Sequence, residues 1–362
     1  MRIGYDVRFV ASSRQVTGIG RYAVDLLAEM TKLVDVELFS DRDWLLPEAL
    51  RGAKLNVLSS CRLWQQTALP LGLWKRKVDL FHGLAYGVPF WAPCPQVVTV
   101  HDLGFRHARE TQALDVRRYL SKMVPIAMAR ASQIIVPSEA VRYDIGKYYG
   151  TYRSKVRVTP LGVGTAFLLA GLEGQETERG SVENTPYILT VGTHEPRKNL
   201  RRVVESFLQL VRDENIPHKL VMVGGETQAT NELRKLVADE CSDRVLMVGY
   251  VPEERLIRYY QGADFLVYPS LFEGFGIPLL EAMATGCPIV TSNVSSMPEV
   301  AGDAALYVDP TDSNSIRAAM SRLLHDRELR KVLRQRGLSR VQHYKWSAVA
   351  QQTLTVYEGI KG

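Results

Sequence analysis

Short apolar runs alternate with helical apolar patterns through the second half of the chain. Tyr187–Gly192 is an apolar run of strand length, and apolar residues then recur at helical spacing from Leu200 to Val211. The alternation continues with apolar runs at 219–224, 245–249, 265–269, 288–292 and 305–308, and with helical patterns near 228–240, near 253–262 and from about Pro278. Short apolar strands separated by helices are typical of a parallel sheet that is covered on both faces.

The first half of the chain shows the same alternation with longer interruptions. Its pattern predicts strands at Arg2–Tyr5, Val36–Phe39, Asp79–His82, Val97–His101, Gln133–Pro137 and Lys155–Val158, and helices near 19–31, 116–130 and 139–149. The two halves together predict an α/β protein of two doubly wound, Rossmann-like domains. Because such sheets bind ligands at the carboxyl ends of their strands, we expect the two domains to face a shared cleft.

A polar, acidic and glycine-containing segment, residues 170–186, separates the two halves. This composition is typical of a flexible linker. A chain of 362 residues, at roughly 100–200 residues per domain, is also expected to form two domains. The sequence therefore places an N-terminal domain at 1–169 and a C-terminal domain at 187–343.

The net charge of +6 is distributed unevenly between the halves. Residues 1–170 carry 23 Lys and Arg against 14 Asp and Glu, whereas residues 171–362 carry 22 against 25, so the net charges are +9 and −3. The basic half indicates either an anionic partner, such as a membrane surface or a nucleic acid, or only a gain in solubility. No nucleic-acid recognition motif accompanies the charge, so we expect no nucleic-acid partner.

The start of the chain and its longest apolar runs bear on where the protein resides. No run of eighteen apolar residues occurs, and Asp6 and Arg8 interrupt the apolar stretch that a signal peptide would need. We therefore expect a cytoplasmic protein that reaches a membrane only peripherally, at its inner face.

The loop Glu273-Gly274-Phe275-Gly276 lies between the predicted strand 265–269 and the helix that begins near Pro278. Backbone N–H groups at such a helix N-terminus can hold a phosphate or a sugar hydroxyl. Glu273 and Glu281 are eight positions apart, so both carboxylates can serve as acceptors for hydroxyl groups in one pocket. Alternatively, Glu273 caps the helix and Glu281 is solvated.

Two motifs of this half identify a family. GTHEPRKNL (192–200) and YPSLFEGFGIPLLEAMATGCPIV (268–290) resemble the diphosphate-binding loop and the glutamate-pair motif of the retaining family-four glycosyltransferases of the GT-B fold. The resemblance extends over nearly the whole chain. It implies that Glu281 binds the ribose hydroxyls, that Glu273 binds hydroxyls of the transferred sugar, and that the backbone N–H groups of Phe275, Gly276 and Ile277 bind sugar and phosphates.

Arg197 and Lys198 follow a strand end and precede a helix, where two cations can neutralise a leaving diphosphate. The alternative is a solvated pair of loop residues. Many family members have Arg directly after the strand-ending glycine, but this chain has Thr193, so the phosphate contacts are assigned to Arg197 and Lys198.

Subfamilies with the GTxEPRKN variant are often sugar transferases of bacterial polysaccharide assembly. The resemblance therefore implies transfer of a hexose, with mannose from GDP-mannose as the leading donor, to a hydroxyl of a lipid-linked or oligosaccharide acceptor. A UDP- or dTDP-sugar donor and a nucleotide-sugar epimerase of similar fold are the alternatives. A dinucleotide-dependent oxidoreductase is disfavoured because Ala23 replaces the third glycine of the fingerprint that begins at Gly18.

Other residues receive roles only through the resemblance. It implies that the loop containing Gly20 lies over the donor phosphates and the acceptor, and that His101 contacts the donor sugar. It also implies that Tyr250 and Val251 bind the base through backbone groups. The alternatives are a capping or core role for His101 and a packing role for Tyr250. Two weaker candidates end strands of the first half: Ser138 and the pair His82-Gly83.

No cofactor or metal is expected, because Arg197, Lys198 and a helix dipole can supply the charge that Mg²⁺ would provide. Asp41-Arg42-Asp43 matches a metal-binding aspartate pair of a different glycosyltransferase fold, but it lies in an acidic loop of the other half, and a solvated loop is the favoured interpretation.

Two further expectations concern the first domain. Tyr344–Ile360 looks like the family's closing helix, which packs back on the first domain, so residues 344–362 are assigned to that domain. The resemblance implies that the first domain is the acceptor side and that the domain at 187–343 binds the nucleotide sugar. The stretches 62–77, with Trp64 and Trp74, and 106–130 combine cations with apolar or aromatic residues, which suits docking on an anionic membrane. The alternative is that the tryptophans pack in the core.

Overall fold

The computed structural model describes residues 1–11, 18–107, 114–173, 185–240 and 243–361 of the chain. These residues form two compact units, which are described separately. The first unit comprises residues 1–162 and 345–362, and the second comprises residues 163–344. None of the helices within the described ranges combines the length and the apolar character that a bilayer span requires.

The domain boundary lies earlier than the sequence predicted. Helix Thr165–Glu173, which the sequence divided between the first domain and the linker 170–186, belongs to the second unit. The reason is packing: the Phe167 ring is fully buried, with its centroid 6.1 Å from that of Tyr260, and the Gln261 side chain donates to the Ala170 carbonyl at 3.0 Å. Residues 174–184 of the predicted linker lie outside the described ranges.

The first unit is a seven-stranded parallel sheet with helices, in the order β3-β2-β1-β4-β5-β6-β7. Its elements, with the C-terminal helix numbered last in the chain, are β1 (Arg2–Asp6), α1 (Arg8–Ala11), α2 (Gly18–Met30), β2 (Asp35–Ser40), β3 (Lys54–Val57), α3 (Ala68–Lys75), β4 (Leu80–Gly83), β5 (Gln96–Thr99), α4 (Gly104–His107), α5 (Leu114–Arg130), β6 (Gln133–Val136), α6 (Glu139–Tyr148), β7 (Val156–Val158) and α15 (Trp346–Lys361).

The second unit is a six-stranded parallel sheet with helices, in the order β10-β9-β8-β11-β12-β13. Its elements are α7 (Thr165–Glu173), β8 (Tyr187–Val191), α8 (Leu200–Glu214), β9 (Lys219–Val223), α9 (Thr230–Glu240), β10 (Val245–Gly249), α10 (Glu253–Gly262), β11 (Phe265–Tyr268), α11 (Ile277–Ala284), β12 (Ile289–Ser292), α12 (Met297–Ala301), β13 (Ala305–Val308), α13 (Ser313–His325) and α14 (Arg327–Arg340).

The strand order of the second unit determines where its loops meet. β8 pairs in parallel with both β9 and β11, with Leu189 opposite Leu266 on the β11 side, so the order reverses between β8 and β11. Open parallel sheets bind ligands in the crevice at such a reversal, outside the carboxyl ends of the strands. The loops that leave those two strands here are 192–199 and 269–276.

Apolar burial fixes the two elements that carry the first of these loops. Every residue of β8 is buried. One face of α8 is buried as well, through Leu200, Val203, Val204, Ser206, Phe207, Leu208 and Leu210. Loop 192–199 is therefore held at both ends by the core of the second unit.

The C-terminal helix α15 is joined to the first unit by a buried hydrogen-bond network. The Tyr357 hydroxyl lies 2.5 Å from His82 Nδ1 and 3.2 Å from the Tyr5 hydroxyl. His82 Nε2 lies 2.8 Å from Thr99 Oγ1, which is 2.9 Å from the Tyr22 hydroxyl. The His82 side chain is fully buried, and burial lowers its pKa to about 3, so the imidazole is neutral at physiological pH.

This network corrects the interpretation of His82 as a weak site candidate. Both of its ring nitrogens are bonded inside the unit, so the residue is structural. Its neighbour Gly83 is also fixed by packing, since a side chain there would meet the Gly87 carbonyl oxygen.

We expect Tyr357→Phe to lower the free energy of unfolding of the first unit by about 1–3 kcal/mol, because it leaves buried polar groups of His82 and Tyr5 without their partner. Urea unfolding of the full chain measures this loss. Tyr143→Phe is the control, since that side chain is 71% exposed. Equal unfolding midpoints for both variants would show that the network does not stabilise the unit.

Candidate functional site

A cluster of charged side chains joins the two loops at the strand-order reversal of the second unit. Lys198 Nζ donates to Glu273 Oε1 at 2.6 Å, and Arg197 Nη1 donates to Glu273 Oε2 at 2.5 Å. The Tyr268 hydroxyl donates to Glu273 Oε1 at 2.8 Å and lies 2.5 Å from Lys198 Nζ. Arg197 Nε donates to Glu195 Oε2 at 2.7 Å. The structure thus brings together three of the residues that the sequence predicted.

The cluster is withdrawn from solvent, so the interpretation of Arg197 and Lys198 as a solvated pair is wrong. Their side chains are 21% and 9% exposed. Burial acts to raise the pKa of the Glu273 carboxyl, but the charges of Lys198 and Arg197 outweigh it and hold that pKa at about 2. Burial lowers the pKa of the Lys198 ammonium, and Glu273 opposes this shift.

Lys198 and Glu273, the central ion pair of the cluster, can each form a further hydrogen bond to a ligand. The Lys198 ammonium has three N–H donors, of which two serve Glu273 and Tyr268, and the third has no partner in the described part of the chain. A carboxylate accepts about four hydrogen bonds, and Glu273 accepts three from these side chains. The pair can therefore donate to a phosphate oxygen and accept from a sugar hydroxyl.

Three consecutive backbone amides lie beside this cluster at the start of α11. Gly276 precedes the helix with a φ of +101°, which glycine adopts without strain, and no side chain caps the helix. Within the described ranges, the N–H groups of Phe275, Gly276 and Ile277 have no hydrogen-bond partner. Because Phe275 and Gly276 are buried, unpaired donors here favour an anionic or hydroxyl ligand.

Two serines after β12 fix the conformation of the loop. Ser295 Oγ donates to the Glu273 carbonyl at 2.6 Å, and Ser296 Oγ donates to the carbonyls of Glu273 at 3.0 Å and Phe275 at 2.9 Å. Two carbonyls of the loop, those of Glu273 and Phe275, are thus bound by the serines. These serines and Tyr268 could not be predicted from the sequence, because no local spacing indicates that they reach Glu273.

Glu281 is buried on α11, where it accepts a hydrogen bond from the Tyr260 hydroxyl at 2.8 Å. Its side chain is 4% exposed, so the alternative of a solvated Glu281 is wrong. The alternative in which Glu273 caps the helix is wrong too, because Gly276 occupies the capping position. The role of Glu281 toward ribose stays a prediction.

Tyr250 and Val251 follow β10, the edge strand of the second sheet. The Tyr250 side chain is 50% exposed and Val251 is buried. Gly249 turns the chain with a φ of +77°, and its carbonyl accepts from the Gly224 amide at 2.9 Å. The half-exposed ring disagrees with a core role for Tyr250, and base binding by the two backbones stays a prediction.

His101 lies in the first unit, just beyond β5, and is 7% exposed. Its Nε2 donates to the Leu84 carbonyl at 2.7 Å, which makes Nδ1 the acceptor of the neutral ring. Burial lowers the pKa of this imidazole. The Tyr22 and Tyr86 rings pack edge-on against the His101 ring, with centroid-to-centroid distances of 4.8 and 5.6 Å. The ring is thus fixed and neutral, and its contact with a donor sugar stays a prediction.

Gly20 and Ser138 are the remaining candidate residues of the first unit. Gly20 is buried in the first turn of α2, and residues 12–17 of the preceding loop lie outside the described ranges. Ser138 caps α6 by accepting from the Val141 amide at 3.2 Å, which accounts for its position after β6.

The pattern Asp41-Arg42-Asp43 contains an ion pair, with Arg42 Nε 2.9 Å from Asp41 Oδ1. Asp43 Oδ1 accepts from the Trp44 amide at 2.9 Å. The two aspartates therefore have different partners. Across the described ranges, no group of three or more His, Cys, Asp or Glu side chains is placed to hold a metal ion.

Two family models match consecutive parts of the chain. Residues 16–167 match the model described as Glycosyltransferase Family 4, and residues 174–340 match the model described as Glycosyl transferases group 1. The O-antigen chain mannosyltransferase B of Escherichia coli is 28% identical, over 95% of this chain and 96% of its own length.

Two solved structures have the same fold along their whole length. Sucrose-phosphate synthase from Thermosynechococcus elongatus superposes with a TM-score of 0.78 at 22% identity, covering 99% of this chain and 98% of its own. HepE of Anabaena, in complex with UDP-glucose, superposes with a TM-score of 0.75 at 17% identity, covering 99% of this chain and all of its own.

Proposed function

The chain belongs to the family-four glycosyltransferases of the GT-B fold, and we propose that it transfers mannose from GDP-mannose, with retention of anomeric configuration, to a hydroxyl of a lipid-linked or oligosaccharide acceptor in bacterial cell-surface polysaccharide synthesis. That it is a glycosyltransferase follows from the family. The name of the E. coli relative supports mannose, and the UDP-glucose complex of HepE supports a nucleotide-sugar donor. The observation that carries the proposal is that, in the described part of the chain, one Lys198 N–H beside Glu273 and the three amides at the start of α11 have no partner.

The second unit binds the donor diphosphate in this proposal. Arg197, Lys198 and the amides of 275–277 donate to the phosphate oxygens, and Glu273 accepts from a hydroxyl of the sugar. By the family resemblance, Glu281 binds the ribose hydroxyls and the backbones of Tyr250 and Val251 bind the base. The resemblance also assigns donor contacts to the loop containing Gly20 and to the His101 ring.

The reaction follows a front-face displacement. The acceptor hydroxyl oxygen forms a bond to the anomeric carbon on the face from which the diphosphate leaves, while the bond from that carbon to the phosphate oxygen breaks. The acceptor proton passes to the leaving phosphate oxygen. Arg197, Lys198 and the loop amides stabilise the negative charge that grows on this oxygen, and placing fixed donors where charge develops is a large source of rate.

The proposed charge stabilisation requires no metal ion, since two cations and a helix N-terminus supply it. We therefore expect transfer activity to be unchanged, within twofold, by EDTA. The measurement is release of GDP from GDP-mannose with and without the chelator. A strict requirement for added Mg²⁺ or Mn²⁺ would contradict this part of the proposal.

The donor is tested by thermal stabilisation against a panel of GDP-mannose, UDP-glucose and dTDP-glucose. A ligand at a hundred times its dissociation constant adds about 2.7 kcal/mol to stability, so the correct nucleotide sugar stands out. Donor turnover then separates transfer from epimerisation. A transferase consumes the donor only when an acceptor is added, whereas an epimerase converts the donor without an acceptor.

The first unit exposes an apolar and basic surface that supports docking on an anionic membrane at the inner face. The exposed apolar residues of this surface are Leu63, Leu71, Trp74, Phe90 and Trp91. Trp74, Lys75, Lys77 and Pro93 line one shallow cavity, and the Phe90 amide donates to Gln66 at 2.6 Å, which places that loop near residue 63. We call this set, with Lys75 and Lys77, the docking surface.

The structure changes the contribution of Trp64 and Arg76 to the predicted membrane-docking stretch. Trp64 is buried, because its ring packs in the core with Arg8 stacked over it at 4.0 Å, so only Trp74 of this pair reaches solvent. The Arg76 side chain is half-exposed and lies 3.6 Å from Glu37, so part of its charge is neutralised. Residues 108–113 of the second basic stretch, including Arg109, lie outside the described ranges.

We expect the double variant Lys75→Ser/Lys77→Ser to bind anionic vesicles roughly 30-fold more weakly, since each basic residue near the surface contributes about 1 kcal/mol. Co-sedimentation with phosphatidylglycerol vesicles measures this. The matched control is Arg142→Ser/Lys147→Ser, which removes the same charge from exposed positions of α6. Equal loss in both double variants, or salt-insensitive binding, would contradict docking through this surface.

A further inference from the structure

Tyr268 is the last residue of β11, and its side chain is 2% exposed. Thr291 lies opposite Tyr268 on the neighbouring strand β12, and Thr291 Oγ1 donates to the Tyr268 carbonyl at 2.9 Å. Lys198 and Glu273, by contrast, lie in the two loops at the strand-order reversal. Side chains carried by strands are held more precisely than side chains carried by loops. Tyr268 is therefore the fixed reference for these two charged side chains.

The Tyr268 hydroxyl completes a closed set of hydrogen bonds with the central ion pair. It accepts from Lys198 Nζ at 2.5 Å and donates to Glu273 Oε1 at 2.8 Å, and Lys198 Nζ donates to the same carboxylate oxygen at 2.6 Å. Burial, reinforced by the charge of Glu273, raises the pKa of the Tyr268 hydroxyl, so the hydroxyl keeps its proton at physiological pH. The one proton of this hydroxyl is thus engaged with Glu273.

Two acceptors fix the direction of the remaining Lys198 N–H. A lysine ammonium is carried by a flexible four-carbon stem, so a single acceptor lets it pivot about that one bond. Glu273 and Tyr268 together hold the position of Nζ and the rotation about the Cε–Nζ bond. The third N–H then points in one direction. Direction matters because a displacement of about 1 Å can slow a reaction about 100-fold.

We propose that Tyr268 is a positioning residue of the transfer reaction, whose hydroxyl aims the third N–H of Lys198 at the leaving phosphate oxygen. The proposal rests on the proposed function, which assigns that oxygen to Lys198. Tyr268 acts through Lys198 and does not itself touch the donor, since its side chain is buried and its hydroxyl proton is engaged. A merely structural hydroxyl would stabilise the second unit without affecting the chemical step.

The first test is Tyr268→Phe, which removes the hydroxyl and keeps the ring, whose centroid lies 4.9 Å from Lys198 Nζ. We expect kcat to fall at least tenfold, with KM for GDP-mannose within twofold of the wild-type value. The ammonium stays in the site, but its N–H is no longer held toward the oxygen on which charge grows in the transition state. Initial rates of GDP release measure both constants.

The matched control is Tyr187→Phe. The Tyr187 hydroxyl is also buried, at the start of β8, and donates to the Tyr259 carbonyl at 2.9 Å. This variant removes a buried tyrosine hydroxyl from the same sheet, at the strand end opposite loop 192–199, so kcat should stay within twofold of wild type. Tyr268→Met, which lacks the hydroxyl and refills the space with a flexible side chain, should lose kcat as Tyr268→Phe does.

A double-mutant cycle separates positioning from a structural role. If Tyr268 acts through Lys198, adding Tyr268→Phe to Lys198→Ala should lower kcat by less than twofold further. A tenfold loss in both backgrounds would overturn the proposal. Wild-type kcat in Tyr268→Phe, or an equal loss in Tyr187→Phe, would overturn it as well.

The Lys198 ammonium can also be observed without any turnover, by ¹H–¹⁵N NMR of the full chain, with its signal assigned by its absence from Lys198→Ala. We expect its hydrogen exchange with water to be at least fivefold faster in Tyr268→Phe than in the wild-type protein. Equal exchange rates would overturn the proposal. Failure of the proposed function is seen separately, as no release of GDP from GDP-mannose by the wild-type enzyme, and the exchange rates still decide the role of Tyr268.

Discussion

Replacing Lys198 by alanine is expected to lower kcat for sugar transfer by about 100- to 1,000-fold, because it removes a fixed, buried donor from the oxygen on which charge develops. The effect should be largest on kcat, since that charge is greatest in the transition state. Initial rates of GDP release at saturating donor measure it. A variant that kept the wild-type kcat and changed only KM for the donor would contradict the role given to Lys198.

Arg201→Ala is the matched control for Lys198→Ala. Arg201 is a cation in the first turn of α8, and it is paired on the surface with Glu205 at 2.8 Å, with a side chain 71% exposed. Its removal should leave kcat within twofold of the wild-type value. Circular dichroism of both variants at the assay temperature confirms that the comparison is made on folded protein.

Replacing Glu273 by glutamine is expected to destabilise the second unit by about 3–5 kcal/mol at pH 7, because it leaves Lys198 and Arg197 without the buried carboxylate that binds both. Transfer should be lost as well, since the two cations are no longer held in place. Urea unfolding of the full chain measures the change. Glu195→Gln is the control. The Glu195 side chain is 34% exposed, and of the two cations it pairs with Arg197 but not with Lys198.

The stability difference between wild type and Glu273→Gln should depend on pH. The folded-state pKa of Glu273 is about 2, below its usual value of 4.5. A carboxyl with a lowered pKa stabilises the folded state fully above its unfolded pKa, and this contribution is lost as pH falls through the folded pKa. The difference should therefore be constant above about pH 5 and shrink between pH 4.5 and pH 2. A difference that did not change over this interval would contradict the ion pairing of Glu273.

The elements of the second unit were largely predictable from sequence, and the reason is burial. Strands such as β8 and β11 are buried throughout, so they stand out as continuous apolar runs between polar loops. The strand Lys54–Val57, β3, was not predicted. It lies at the edge of the first sheet and only Asn56 in it is buried, which leaves no apolar run to recognise.

The boundary between the units was less predictable than the elements. The polar composition of 170–186 indicated a linker, but α7 begins before it and continues to Glu173. This assignment depends on contacts of α7 with residues some ninety positions later, such as Gln261, which bonds to Ala170. Local composition carries no information about such contacts.

The charged part of the site was predicted because its motifs lie in contiguous sequence. Arg197, Lys198 and Glu273 were each placed at a strand end, and the parallel sheet brings these ends together. The neighbouring residues that hold the loop of Glu273 and the side chain of Glu281 in place were not predicted. Ser295 and Ser296 reach the loop of Glu273 from the next strand, and Tyr260 reaches Glu281 from a different helix, so both contacts depend on the tertiary fold.

The most direct test of the central claim compares calorimetric titrations of GDP and GMP into the wild-type protein and Lys198→Ala. If Lys198 and the start of α11 bind the leaving phosphate, the wild-type protein should bind GDP at least tenfold more tightly than GMP, a difference of about 1.4 kcal/mol. That ratio should fall close to one in Lys198→Ala. An unchanged ratio in the variant would contradict the assignment of the cluster to the diphosphate, and no binding of GDP to the wild-type protein would contradict GDP-mannose as the donor.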